Sequence, residues 1–190
     1  MTMKKLVLLA LLYLPRAAGG ETHIGGDIRE IEFTRAGNPY IVDQDLLVPS
    51  GKKVVIKEGC VFLFNAFTGL MVRGQLVVEG TREDPVVFTS VHDAEYNPES
   101  EQLPNAFDWN GVLITRESSG AHLTHFKCRY SVYGIKVQNP SIKIEEGLFY
   151  QNGQFHFTVN DKVQYVQDNI PYSYNVSKGA GHRDGEDDGK

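Results

Sequence analysis

The sequence predicts an all-β chain, in its simplest form one short right-handed parallel β-helix, on three observations. From Tyr40 onward the apolar residues alternate with period two, the mark of half-buried strands rather than helices. The alternating runs are short and separated by Gly, Pro, Asn and Ser turns. A strand led by glycine or another turn residue returns about every 20 to 23 residues, a spacing that belongs to solenoids. The alternative is an antiparallel β-sandwich, because short apolar strands fit either arrangement.

The chain opens with Met-Thr-Met-Lys-Lys, a nine-residue apolar run over 6–14, and a Pro-Arg-Ala-Ala-Gly-Gly segment. This is the layout of a secretory signal peptide, with small residues at Ala17 and Gly19, or Ala18 and Gly20, suited to cleavage near Gly19 and Gly20. The apolar run is too short to span a bilayer. Residues 1–20 are therefore read as a signal peptide, and the mature protein as secreted, periplasmic or displayed at the cell surface, not transmembrane once the signal is cleaved.

Strand-like runs then follow one another from Tyr40, Val54, Cys60, Leu70 and Pro85, with turns at Pro49 to Gly51, Glu58-Gly59, Gly74 and Glu79 to Thr81. The texture resumes from Trp109, Ala121, Tyr133, Ile142 and Phe155. Gly111-Val-Leu-Ile, Gly134-Ile-Lys-Val and Gln154-Phe-His-Phe carry the repeat, and Gly69-Leu-Met-Val precedes them at nearly double the spacing. The excess is a polar insertion from His92 to Asp108, expected to leave the coil as a loop. A folded unit over 21–160 results. Residues 161–176, with Tyr165, Ile170, Tyr172 and Tyr174, are expected to cap its open end, since uncapped solenoids expose core and strand edges. Residues 177–190 are charged and glycine-rich and are read as a disordered polar tail.

The words Asn38-Pro-Tyr-Ile-Val, Val48-Pro-Ser-Gly, Val54-Val-Ile-Lys-Glu-Gly, the Leu70 to Thr81 stretch and Pro85-Val-Val-Phe-Thr-Ser resemble the opening module of secreted bacterial right-handed parallel β-helix proteins of pectate-lyase-like architecture. Trp109-Asn-Gly-Val, Tyr133-Gly-Ile-Lys-Val and Phe149-Tyr-Gln-Asn-Gly resemble later coils of that family. The resemblance covers about residues 25–160. It implies a fold; proteins of this architecture range from lyases to adhesins and scaffolds, and fold does not fix activity.

The chain carries 19 basic and 24 acidic residues, a formal net charge of −5. Residues 1–19 hold three of the cations, Lys4, Lys5 and Arg16, so the mature chain is more acidic still. That balance argues against nucleic acid as a partner. Two cysteines in an exported chain are free to pair. Cys60 shares the phase of Phe62 and Phe64, however, which favours a buried thiol acting as a small hydrophobe.

If the four repeat strands stack, Leu70 and Val72, Val112 and Ile114, Ile135 and Val137, and Phe155 and Phe157 face inward together. Arg73, Lys136 and His156 then stand on the outward face as donors for a glycan laid along it, or as ordinary solvated charge. The insertion brings Tyr96 and Trp109, aromatics suited to a sugar ring or a partner. The competing role for Trp109 is to anchor the loop root by packing.

No catalytic residue, metal ligand set or cofactor site is assigned. A lyase needs clustered carboxylates on the repeat face to hold a hard cation, and that column has none. A hydrolase needs a carboxylate pair across a groove. Glu79, Asp108, Glu117, Glu145 and Glu146 are available, but no pair is marked by register. His122 and His125 lie three apart on a strand and so face opposite sides. The leading expectation is a non-catalytic envelope module that binds polysaccharide or an envelope or surface protein, or serves as a scaffold. A polysaccharide lyase or glycoside hydrolase, and a self-assembling envelope subunit, are the alternatives.

Overall fold

The computed structural model describes residues 20–28, 32–139 and 141–176. The signal-peptide reading, apart from Gly20, and the polar-tail reading lie outside these residues. Sixteen strands are described: β1 Thr22–Asp27, β2 Glu32–Phe33, β3 Tyr40–Val48, β4 Lys53–Lys57, β5 Val61–Phe64, β6 Gly69–Val72, β7 Gln75–Glu79 and β8 Val86–Ser90 in the first half. The second half holds β9 Gly111–Ile114, β10 Gly120–Thr124, β11 Phe126–Arg129, β12 Tyr133–Val137, β13 Ile142–Tyr150, β14 Phe155–Val159, β15 Lys162–Val163 and β16 Tyr172–Asn175. The described residues contain no α-helix, only a 3-10 turn at Arg35–Gly37.

The protein is all-β, and its strands join one large mixed sheet that is not closed. Every pairing among β1 to β14 is parallel; only β15 on β14 and β16 on β13 run antiparallel. The antiparallel sandwich therefore does not describe it. Three parallel runs make up the sheet: β3-β6-β9-β12-β14, β3-β5-β8-β11-β13 and β2-β4-β7-β10-β13. The long strands β3 and β13 each belong to two runs, because their two halves pair different strands: β3 pairs β5 through Tyr40 to Val42 and β6 through Leu46 to Val48, and β13 pairs β10 through Ile142 to Glu145 and β11 through Leu148 to Tyr150.

Alternation decides which side of each strand is covered. Leu46, Leu70, Val112, Ile135 and Phe157 stand opposite one another across the first run, and all are buried in one interior cluster. Tyr40, Phe62, Phe88, Cys128 and Phe149 do the same across the second. Stacking of like residues on neighbouring strands, about 4.8 Å apart, lets their rings overlap. Tyr40, Phe62 and Phe88 form such a column, with centroids 5.0 and 5.6 Å apart.

The fourth repeat strand departs from the expected register. Ile135 faces Phe157 and Tyr133 faces Phe155, so Phe155 is not the inward partner of Ile135. The turn between β13 and β14 holds one more residue than that between β11 and β12, and Gly134 falls opposite His156 instead of Gln154. A Cβ at Gly134 would lie 2.0 Å from the His156 carbonyl oxygen, so this close approach depends on glycine.

Both cysteines are buried and free. Cys60 precedes β5 and Cys128 lies on β11, with β8 between them and the two positions offset along the strands. Two strand spacings already exceed the reach of a disulfide. Burial pushes the Cys60 thiol up to about 11 and the Cys128 thiol to about 12.

Residues 161–176 lie against the last strands. Tyr172 packs edge-on against Phe149 and Phe157, and Tyr174 against Phe157 at 5.1 Å. This end also exposes Val163, Tyr165 and Ile170.

Candidate functional site: a groove beside the inserted segment

The segment between β8 and β9 is inserted at a corner of the sheet without breaking it, since Gly69 still pairs with Gly111. Its two roots are tied together: Ser90 Oγ donates to Asp108 Oδ2 at 2.6 Å. Trp109 closes the return. It is fully buried, stacks on Phe64 with centroids 4.0 Å apart and 12° between planes, and donates Nε1–H to the Arg129 carbonyl at 2.7 Å. It has no surface left for a ligand, so its assignment as a binding residue is corrected: the indole anchors the loop root.

The insertion turns back over the outward side of β8 and β11. Thr89 points outward yet is fully buried, with its hydroxyl donating to Asp93 Oδ2 at 2.7 Å. Alternation on β11 sends Lys127 and Arg129 outward, and both meet the insertion. Arg129 Nη1 reaches Glu95 at 2.5 Å and Asp93 at 3.1 Å, while its guanidinium packs against the rings of Tyr96, Tyr130 and Tyr150 at 5.1 to 5.7 Å. Lys127 Nζ donates to the Tyr96 phenol oxygen at 2.7 Å and to Glu95 at 3.3 Å. Burial pushes the Glu95 carboxyl up, but the hydrogen bond from Arg129 and the charges of Arg129 and Lys127 outweigh it and hold the group down at about 2.

Beside this clip runs an open groove of about 930 Å³. Val61, Val87 and Lys127 stand opposite one another on β5, β8 and β11 and line it. Arg35 and Pro39 contribute from before β3, Glu83 and Asp84 from before β8, and Tyr96 and Pro98 from the insertion. Arg35 and Asp84, both on its lining, form an ion pair. A smaller pocket of about 300 Å³ shares Glu95 and Lys127 with the groove and extends to Tyr150 and Asn169. Mixed apolar, aromatic and polar linings of this size suit a ligand.

The other residues expected at a site are spread out. Lys136 stands outward in line with Met71 and Leu113 and pairs with Asp161 at 3.0 Å. Arg73 is exposed just past β6, 3.8 Å from Glu117. His156 falls in the row of Gly134 because of the shifted register. Its ring is mostly covered, accepts from Asn152 Nδ2 at 3.1 Å through Nδ1, and meets Asp168 at 3.1 Å through Nε2. Burial pushes its pKa down against the pull of Asp168. Arg73 and Lys136 keep the adjacent outward rows expected of them, and only His156 is displaced, since Thr158 takes its place opposite Lys136. Only Tyr96, of the expected binding residues, lines the groove.

The carboxylates considered for hydrolysis all have partners. Glu79 pairs with Lys57, Asp108 with Ser90, Glu117 with Arg73 and Glu146 with Arg82. Glu145 lies 2.6 Å from both Lys143 and His122, which hold it down at about 2. Among the described residues no group of three or more His, Cys, Asp or Glu is placed to hold a metal ion. No described helix is long and apolar enough to cross a membrane.

No family model matches the chain, and no solved structure matches it. A stretch of 71 residues, 37% of the chain, is 32% identical to Protein bark beetle of Drosophila melanogaster. The chain spans about 2% of the length of that protein.

Proposed function

We propose that this chain is an exported, non-catalytic binding module, wound as a short right-handed parallel β-helix, whose groove beside the insertion receives a polysaccharide. The winding reading is supported by the three parallel runs and by the return of Val112 to Ile135 and Ile135 to Phe157 after 23 and 22 residues, one coil each. The export reading rests on the sequence of residues 1–20.

The observation that carries the binding reading is the meeting of Tyr96 with Lys127 at the edge of a groove that crosses neighbouring strands. An extended polymer lying across the strands meets one outward row, in which Val61 and Lys127 are accessible and Val87 is buried between them. Tyr96 adds an aromatic surface on which a sugar ring can rest, with polar groups beside it to fix orientation.

A glycan array probed with the protein and with Tyr96→Ala and Lys127→Ala tests this. Binding that falls at least tenfold in either variant, and survives the triple alanine variant of Arg73, Lys136 and His156, is the expected result. Binding lost only in the triple variant moves the site to the other face.

A self-assembling subunit is favoured by a separate observation, the exposure of three large apolar side chains, Val163, Tyr165 and Ile170, in the segment after β14. Sedimentation velocity tests it: a mass that rises with concentration, and stays monomeric in Tyr165→Lys, is its signature.

A further inference from the structure

We infer that the groove selects glycans without acid groups, taking an uncharged hexose polymer and rejecting a polyuronate; this rests on the binding reading above. The inference comes from how the charges in and beside the groove are already spent. Arg35 is paired with Asp84. Lys127 is held by Glu95, and Arg129 by Asp93 and Glu95 together. Each cation that a uronate carboxylate would seek has a carboxylate on it. Glu83, also on the groove wall, has no hydrogen bond or ion pair among the described residues, so the balance there is negative.

An arriving polyuronate would bring one more carboxylate per sugar into this arrangement. Each would have to displace a protein carboxylate from its cation or lie against Glu83 unmatched, and like charges brought together oppose binding. The acidity of the whole chain, 24 acidic against 19 basic residues, repels a polyanion before contact as well. Sugar hydroxyls meet the opposite situation. A carboxylate accepts several hydrogen bonds, and an O–H donor to it makes a short, charge-assisted one. Glu83, with its acceptor positions unused, is suited to hydroxyl groups, while Tyr96 and Val61 meet the apolar ring faces.

The test is calorimetric titration of the full chain, expressed with export, at constant ionic strength. The probes are hexamers of β-1,4-glucose, β-1,3-glucose and β-1,4-mannose, and hexagalacturonate. The expected result is that at least one uncharged hexamer binds, sensitive to Tyr96→Ala, and that hexagalacturonate binds at least tenfold more weakly. Asp84→Asn, which frees the exposed Arg35, raises the hexagalacturonate affinity at least threefold, and Glu83→Gln weakens the uncharged hexamer at least threefold. Hexagalacturonate binding as tightly as the best uncharged hexamer overturns the selectivity and leaves the binding reading standing. Failure of every hexamer to bind a protein whose melting curve is cooperative overturns both.

Discussion

Arg129 reaches out of β11 to the carboxylates of Asp93, 36 positions earlier in the chain, with Nη1 3.1 Å from Oδ2 and only 4% of the Asp93 side chain exposed. This buried pair fastens the insertion to the sheet, and the groove wall depends on it. Removing one partner strands the other charge away from water, which costs about 3 kcal/mol or more. Arg129→Met is expected to lower stability by about that amount in urea denaturation. A double-mutant cycle with Asp93→Asn is expected to give a coupling of about 1 to 3 kcal/mol; additivity within error would show the pair to be incidental.

Lowering the pH acts on the same clip through Glu95. A carboxyl held at about 2 when folded, against an ordinary 4.5, contributes attachment that is complete above pH 4.5 and lost as the pH falls toward 2. Amide hydrogen exchange in residues 92–98, corrected for the intrinsic rate, should accelerate between pH 4.5 and 2.5 in advance of the strands. Glu95→Gln should remove that pH dependence.

Trp109 is predicted to matter for stability and not for direct ligand contact. Trp109→Ala removes a fully buried indole stacked on Phe64 and is expected to cost about 3 to 5 kcal/mol. Trp109→Phe keeps most of the packing but loses the hydrogen bond to the Arg129 carbonyl. It should cost less and retain glycan binding, as read by calorimetry on the folded variant.

The thiols provide a check on the interior. With Cys60 at about 11 and Cys128 at about 12, both buried, neither is a thiolate near neutral pH. A thiol reagent at pH 8 should find less than one reactive group in the native protein and two after denaturation without reductant. A disulfide would yield none.

Gly134→Ala tests the register of the fourth repeat strand. Its Cβ would meet the His156 carbonyl at 2.0 Å, a backbone contact that no side-chain movement relieves. The variant is expected to lose about 3 kcal/mol or more in thermal or urea unfolding.

The strand rows were legible in the sequence wherever the glycine-led repeat kept its spacing. Leu70, Val112 and Ile135 were expected to stack, and they do. The rule failed at Phe155 because turn length, which sets register, is not encoded in apolar alternation: β13 already follows β11 by 21 residues, and one further turn residue makes the spacing 22, so Phe157 and not Phe155 stands opposite Ile135. Of the groove, Tyr96 was visible as an aromatic that packing did not explain. Lys127 and Arg129 carried a readable signal, the alternation of Phe126-Lys-Cys-Arg, which directs both outward. What the sequence could not supply was their partners, since Glu95 joins Arg129 from 34 positions away.

The inserted segment has a consequence for how such a protein can change. It forms part of the groove wall through Tyr96 and Pro98 but contributes no rung to the parallel ladder, which runs from β6 to β9 and from β8 to β11 on either side of it. The groove wall is thus shared between the parallel strands and a segment that takes no part in their pairing. Between Pro98 and Phe107, length can change without altering a strand pairing, while Asp93 and Glu95 on Arg129 and the hydrogen bond from Ser90 to Asp108 hold the two ends of the segment in place.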